Sequence, residues 1–114
     1  MRRSNSIYGT VDLLILRTLS VSGPMHGLAI ADEVHQVSDE QLMLDDSALY
    51  PALHRLEDEG LIEGEWKVSE RGRRARFYDL TPSGRHHLKE AMEQWIRHAD
   101  AINKVLRIAW SDAR

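Results

Sequence analysis

The chain has no cysteine, which excludes disulfides, thiolate metal sites and cysteine nucleophiles and is compatible with a reducing cytoplasm. Long apolar runs are missing as well. The longest strongly apolar stretch, residues 11–16, is interrupted by Asp12 and is far shorter than the ~20 residues a membrane span requires. The basic start, Met1-Arg2-Arg3, has no long apolar run behind it before helical patterning begins, so neither a signal peptide nor a membrane partner is expected. No internal repeat or low-complexity tract is visible. There is no phosphate-cradling glycine loop, no nucleophile elbow and no triad-like set, so we expect no enzyme, no catalytic residue and no cofactor. None of the six histidines pairs with another at a spacing of four, and the adjacent His86 and His87 point to different helix faces, so no metal site is expected. A chain of 114 residues, 42% hydrophobic, can build one small core and has no room for a second.

What is present centres on residues 46–60. At ~100° per residue, Leu49, Ala52, Leu53 and Leu56 fall on one side of a helix and Ser47, Tyr50, His54, Arg55 and Asp58 on the other. Asp46 can cap the start and Gly60 can supply the left-handed residue that stops it. Pro51 lies near the first turn, where a local irregularity is expected. An ordinary amphipathic helix with a solvated face would show the same stripe. The outer face is nevertheless rich in hydrogen-bonding groups, as a helix that enters a groove would be.

Residues 61–68 alternate Ile62, Gly64, Trp66 and Val68 with Glu63, Glu65 and Lys67, which predicts a strand with one buried face. Residues 74–81 form a second strand-like run, and the polar segment between them holds Gly72 for the positive φ of a hairpin. Between residues 67 and 78, Lys67, Arg71, Arg73, Arg74 and Arg76 face a single acid, Glu70. That is +4 within a chain of net charge −3, which leaves −7 for everything else. An exposed hairpin can be charged merely to block edge pairing, but such edges usually mix signs. Concentrated positive charge on one hairpin is the electrostatic footprint of a phosphate-contacting wing.

Around this centre, residues 1–8 form a polar arm carrying Arg2 and Arg3, and Thr10 can cap a helix to about Val21. That helix is apolar around most of its circumference, including Leu13 and Leu16. It therefore needs two partners, one of which can be a second subunit. Ser22-Gly23-Pro24 breaks it, and a second helix begins near His26, with His26 at its cap and Ile30, Ala31, Val34 and Val37 on its buried side. Residues 38–44 read as a loop with a short extended piece at 42–44. Thr81-Pro82 is a strong start signal for a final helix to about residue 109. Along it Leu88, Met92, Trp95, Ala99, Ile102, Leu106 and Ala109 recur at spacings of four and three, with Ile96 and Val105 beside them. Such a helix is roughly 40 Å long, more than one small core can cover, and its heptad stripe asks for the same helix of a second copy.

Residues 12–20, 23–27, 47–57, 60–63, 72–78 and 80–84 together resemble the PadR family of prokaryotic transcriptional regulators, in particular its short-tailed branch with a single C-terminal dimerisation helix. The helix containing Leu49-Tyr50-Pro51 and then Leu56-Glu57 is the most specific part of the match. One departure is Asp46-Ser47, where many members carry a glycine near the helix start. The resemblance implies a mostly α fold with a small β-hairpin, a winged helix-turn-helix over residues 1–81 and a C-terminal dimerisation helix over 82–114. It implies a repressor that binds an inverted-repeat operator in double-stranded DNA as a homodimer. The DNA-contacting candidates are then Ser47, Tyr50, His54, Arg55, Lys67, Arg71, Arg73, Arg74 and Arg76. The interface candidates are Leu13, Leu16, Leu88, Met92, Trp95, Ala99, Ile102 and Leu106. Some members stack flat aromatic effectors on a tryptophan of the last helix, and Trp95 is the residue here that could do so; the alternative is that it packs in the dimer core. A dimeric winged-helix adaptor that binds protein rather than DNA is the alternative, consistent with the overall acidity.

Overall fold

The computed structural model describes residues 7–107, with side chains from residue 10 onward; the Arg2–Arg3 arm and Ala109 lie outside this range. The elements run α1 (Ile7–Ser22), β1 (Met25–His26), α2 (Gly27–Val37), α3 (Asp46–Asp58), β2 (Ile62–Val68), β3 (Arg74–Leu80) and α4 (Pro82–Leu106). α1, α2, α3 and the start of α4 pack around one core, with a small antiparallel sheet of order β1-β3-β2 at its side. This is a winged helix-turn-helix followed by a long C-terminal helix.

Thr10 lies inside α1 rather than capping it, because helical structure is already established at Ile7. Ile15, Leu16 and Leu19 are fully buried, and Gly23, at φ +79°, closes the helix with its amide on the Leu19 carbonyl. His26 caps α2 as its position suggests, Nδ1 accepting from the Ala29 amide at 3.3 Å. Ile30 and Val34 enter the core and Ala31 packs against it, whereas Val37, expected inside, is exposed because α2 outruns the core at its last residue. The loop after α2 is held by left-handed turns at Asp39 and Glu40. Residues 42–44 form no strand; Leu44 alone anchors the loop in the core.

The hairpin acquires a third strand that the sequence pattern does not announce: Met25 pairs with Tyr78 and His26 with Phe77. β2 and β3 are in register from Ile62↔Leu80 to Val68↔Arg74. The expected alternation along β2 is real, but its buried face is only one residue deep. Ile62 is buried, whereas Trp66 is 55% and Val68 68% exposed, because the ribbon carries on past the edge of the core.

Thr81 caps α4 through its hydroxyl, which accepts from the Gly84 amide at 3.0 Å, and Pro82 occupies the first turn. Gly84 and Leu88 are the helix's buried residues, and Met92 packs against the core from outside. Beyond that the stripe emerges, with Trp95 43%, Ile102 42% and Leu106 58% exposed. Arg107, in the left-handed region at φ +61°, caps the helix after Leu106, three residues before the end at about 109 that the pattern suggests.

Candidate nucleic-acid interface

α3 places the inward stripe as the periodicity predicts: Leu49, Ala52, Leu53 and Leu56 are buried, and Ser47, Tyr50, His54 and Arg55 lie on the exposed side. The helix runs unbroken through Pro51, which deletes only one backbone bond to the preceding turn. The cap is Asp45 rather than Asp46. Its Oδ1 accepts from the Ala48 amide at 3.1 Å and from the Ser47 hydroxyl at 2.7 Å. The Ser47 hydroxyl bond, followed by the Ala48 amide, holds the Asp45 carboxyl below the usual carboxylate range. Ser47 is thus engaged in the cap, although its side chain stays at the surface. Tyr50 is exposed but its ring leans on the start of α2. A Cβ at Gly27 would sit 3.1 Å from its Cε1 and 3.3 Å from its hydroxyl, so the absence of a side chain at 27 sets how closely α2 and α3 approach.

The two arginines nearest this helix are both committed to carboxylates. Arg55 pairs with Asp12 of α1, and Arg76 of β3 pairs with Glu57 in the last turn of α3. The Glu57 bond also holds the Arg76 guanidinium above its ordinary value. Burial raises the Tyr78 phenol next to this pair, and the Glu57 charge adds to the effect. Arg55 and Arg76 are therefore poorer candidates for phosphate contact than their charge alone suggests.

At the hairpin tip Gly72 adopts φ +78°. The turn is closed by the Ser69 amide on the Arg73 carbonyl and the Gly72 amide on the Ser69 carbonyl at 2.9 Å, while the Ser69 hydroxyl accepts from the amides of Arg71 and Arg73. Arg71, Arg73 and Arg74 are exposed. The strand register divides the wing into two faces. On the one continuous with the core, Trp66 stands opposite Arg76 and Val68 opposite Arg74; the Arg74 guanidinium lies 4.9 Å and that of Arg76 5.8 Å from the Trp66 ring. On the other, Glu63 faces Asp79 and Glu65 faces Phe77, with the His26 ring edge-on to Phe77 at 5.4 Å and the Lys67 ammonium 5.7 Å above it. Lys67, grouped with the wing arginines by its place in the chain, belongs to this second, acidic face. Trp66, Glu57, Asp12 and Gly64 carry much of the local geometry without standing out in the sequence. Trp66 could have been placed from the hairpin register, which sets it across from Arg76; the ion pairs are tertiary and have no local signal.

Of the interface candidates, Leu16 and Leu88 are buried in their own chain's core and offer almost no surface to a partner. Leu13, Met92 and Ala99 are half-buried, while Trp95, Ile102 and Leu106 are exposed. Trp95 rests against His98, ring centroids 6.0 Å apart. Among the described residues no group of three or more His, Asp or Glu side chains could hold a metal ion, and no helix is long and apolar enough to cross a membrane.

The family described as "Transcriptional regulator PadR-like family" matches residues 15–90. A transcriptional regulator of Mycobacterium tuberculosis is 38% identical over 76 residues, covering 64% of this chain and 67% of its own. Among solved structures, a transcriptional regulator from Clostridium thermocellum superposes with a TM-score of 0.77 at 32% identity, covering 91% of this chain and 97% of that one. A PadR family transcriptional regulator from Eggerthella lenta gives 0.71 at 29% identity, covering 89% and 85%.

Proposed function

The chain belongs to the PadR-like family of transcriptional regulators, and on that premise we propose that it is a cytoplasmic repressor that binds an inverted-repeat operator as a homodimer. Residues 1–81 act as the DNA-binding unit and residues 82–114 as the dimerisation region, through α4. α3 enters the major groove, with Tyr50 and His54 nearest the base edges and Ser47 beside them at the helix start. Arg71, Arg73 and Arg74 meet phosphates from the wing. The observation that carries this reading is the two-faced hairpin: its positive charge gathers at the tip and on the Trp66 face, continuous with the face that packs beside α3, while the opposite face carries Glu63, Glu65 and Asp79. Phosphate contacts orient such a domain and base-edge contacts give it sequence preference.

Dimerisation is supported by the apolar stripe of α4, which extends beyond the core through Trp95, Ile102 and Leu106 and is a liability in a monomer. A small planar aromatic effector stacking on Trp95 would release the operator if it favours a spacing of the two α3 helices that DNA does not fit. Selection of the purified protein against random duplexes tests the proposal. The expected product is an inverted repeat with half-sites about one helical turn apart. Recovery of no preferred sequence, together with no salt-dependent binding to duplex at all, would leave the protein-binding adaptor as the better reading.

A further inference from the structure

We propose that Arg76 and Trp66 serve as a strut that fixes the angle between the wing and α3, and that Arg76 positions the wing arginines rather than binding phosphate itself. The inference rests on the reading above, that α3 and the wing together engage duplex DNA. The path of the Arg76 side chain carries it. From β3 it crosses the ribbon over Gly64, where a Cβ would lie 2.5 Å from Nε, 2.9 Å from Cζ and 3.0 Å from Nη2. Glycine at 64 is thus what leaves room for the guanidinium to lie flat on the neighbouring strand. It ends on the Glu57 carboxylate in the last turn of α3, and the Trp66 ring lies alongside. Both members of the pair are about two-thirds covered, with side-chain exposures of 31% and 29%.

A two-stranded ribbon that has left its core is held only by its own ladder and twists readily. Here the outer part of the wing has no apolar anchorage, since Trp66 and Val68 are largely exposed. The only described side-chain ion pair or hydrogen bond that ties the ribbon to α3 is Arg76 to Glu57. Trp66 performs a second task on the same face. Arg74 lies over its ring at 4.9 Å, so this guanidinium is held in place by an uncharged partner and keeps its charge and donors for a phosphate. The two stacked arginines therefore do different work: Arg76 is neutralised and braces, Arg74 is unneutralised and available.

The two roles for Arg76 predict opposite signs for Glu57. Were Arg76 a phosphate ligand, removing the competing carboxylate would strengthen DNA binding, both by freeing the guanidinium and by removing negative charge from the DNA-facing side. As a strut, Glu57→Gln weakens binding despite that gain. The experiment is a fluorescence-anisotropy titration of a labelled random-sequence duplex over a series of salt concentrations, with the full chain, below the melting temperature measured for each variant. The strut predicts that Glu57→Gln and Arg76→Gln each weaken binding about two- to fivefold and that the double variant is no worse than Arg76→Gln alone. Gly64→Ala leaves every charge in place while displacing Arg76, and it reproduces the loss. Tighter binding by Glu57→Gln overturns the proposal, as does parental affinity of the folded Gly64→Ala protein. A separate arm tests the premise: if Arg71→Ala, Arg73→Ala and Arg74→Ala combined bind as tightly as the parent, the wing does not touch DNA and the reading that α3 and the wing engage it together falls, whatever the Glu57 result.

Discussion

Gly84→Ala sets two effects of known sign against each other. Gly84 is in the first turn of α4, and a Cβ there would fall on the Leu61 carbonyl and within 3.1 Å of the Leu80 side chain. The Leu61 carbonyl is fixed: it already accepts from the Thr81 amide at 3.2 Å, and the neighbouring Gly60 carbonyl accepts from the Thr81 hydroxyl at 2.6 Å. A backbone obstacle cannot rotate away as a side-chain tip can, so the start of α4 must retreat and loosen these bonds. Overpacking of this kind costs ~1–3 kcal/mol, and here the upper end applies because the obstacle is main chain. Helix propensity works the other way, alanine being better than glycine by about 1 kcal/mol in a helix interior. The expected net loss is about 2 kcal/mol, a fall in melting temperature on the order of 10 °C for a chain of this size. Thermal and urea unfolding at one fixed protein concentration measure it, since a dimer's stability depends on concentration. A variant as stable as the parent, or more so, would mean that propensity wins and that the packing of α4 on the Leu61 turn does not constrain the fold.

Ile102→Asp places a charge in the apolar stripe of α4, where burial between subunits would cost several kcal/mol. It should sediment as a monomer with weakened DNA binding, and a variant that stays dimeric with parental affinity removes this helix from the interface. Titration with planar aromatic compounds should quench tryptophan emission in the parent, with part of the response lost in Trp95→Ala. No quenching across a broad panel, combined with a steeply lowered melting temperature for Trp95→Ala, would leave Trp95 as packing alone, since truncating a core tryptophan costs ~3–5 kcal/mol. The Asp45 cap supplies a pH dependence. Its carboxyl is held below the usual range in the fold, so its contribution is complete above the ordinary carboxylate range and disappears as pH falls through the lowered value. The melting-temperature gap between parent and Asp45→Ala should therefore be constant near neutrality and close in acid. A gap that persists unchanged into strong acid would refute the charged cap.

The elements with local chemistry were legible in the sequence. Thr81-Pro82 starts α4, His26 caps α2, Gly60 and Gly72 take positive φ where turns need it, and the inward stripe of α3 follows from spacing alone. The expected cap of α3 at Asp46 misses the real one at Asp45 by one residue, because either of two adjacent carboxylates could reach an early amide. β1 escaped notice because two residues carry no periodicity; it exists only because β3 offers an edge. The alternation on β2 marks the strand but overstates its burial, since periodicity reports which residues share a face and not where the core ends. Charge counting found the wing yet could not separate Arg71, Arg73 and Arg74 from Arg76, which Glu57 claims, or from Lys67, which sits on the acidic face. Those distinctions arise from contacts between distant parts of the chain, and so do the close approaches at Gly27, Gly64 and Gly84.

If the protein binds its operator as proposed, two α3 helices read one DNA face as a two-fold pair. The measurement is the affinity of the protein for its selected duplex against the same duplex with half a helical turn inserted between the half-sites, about five base pairs. Rotating one half-site to the far side of the duplex should reduce binding to the level of random-sequence DNA, with the remaining affinity still falling steeply with salt. Undiminished binding to the expanded site would contradict the account, because it would mean that each chain engages DNA on its own.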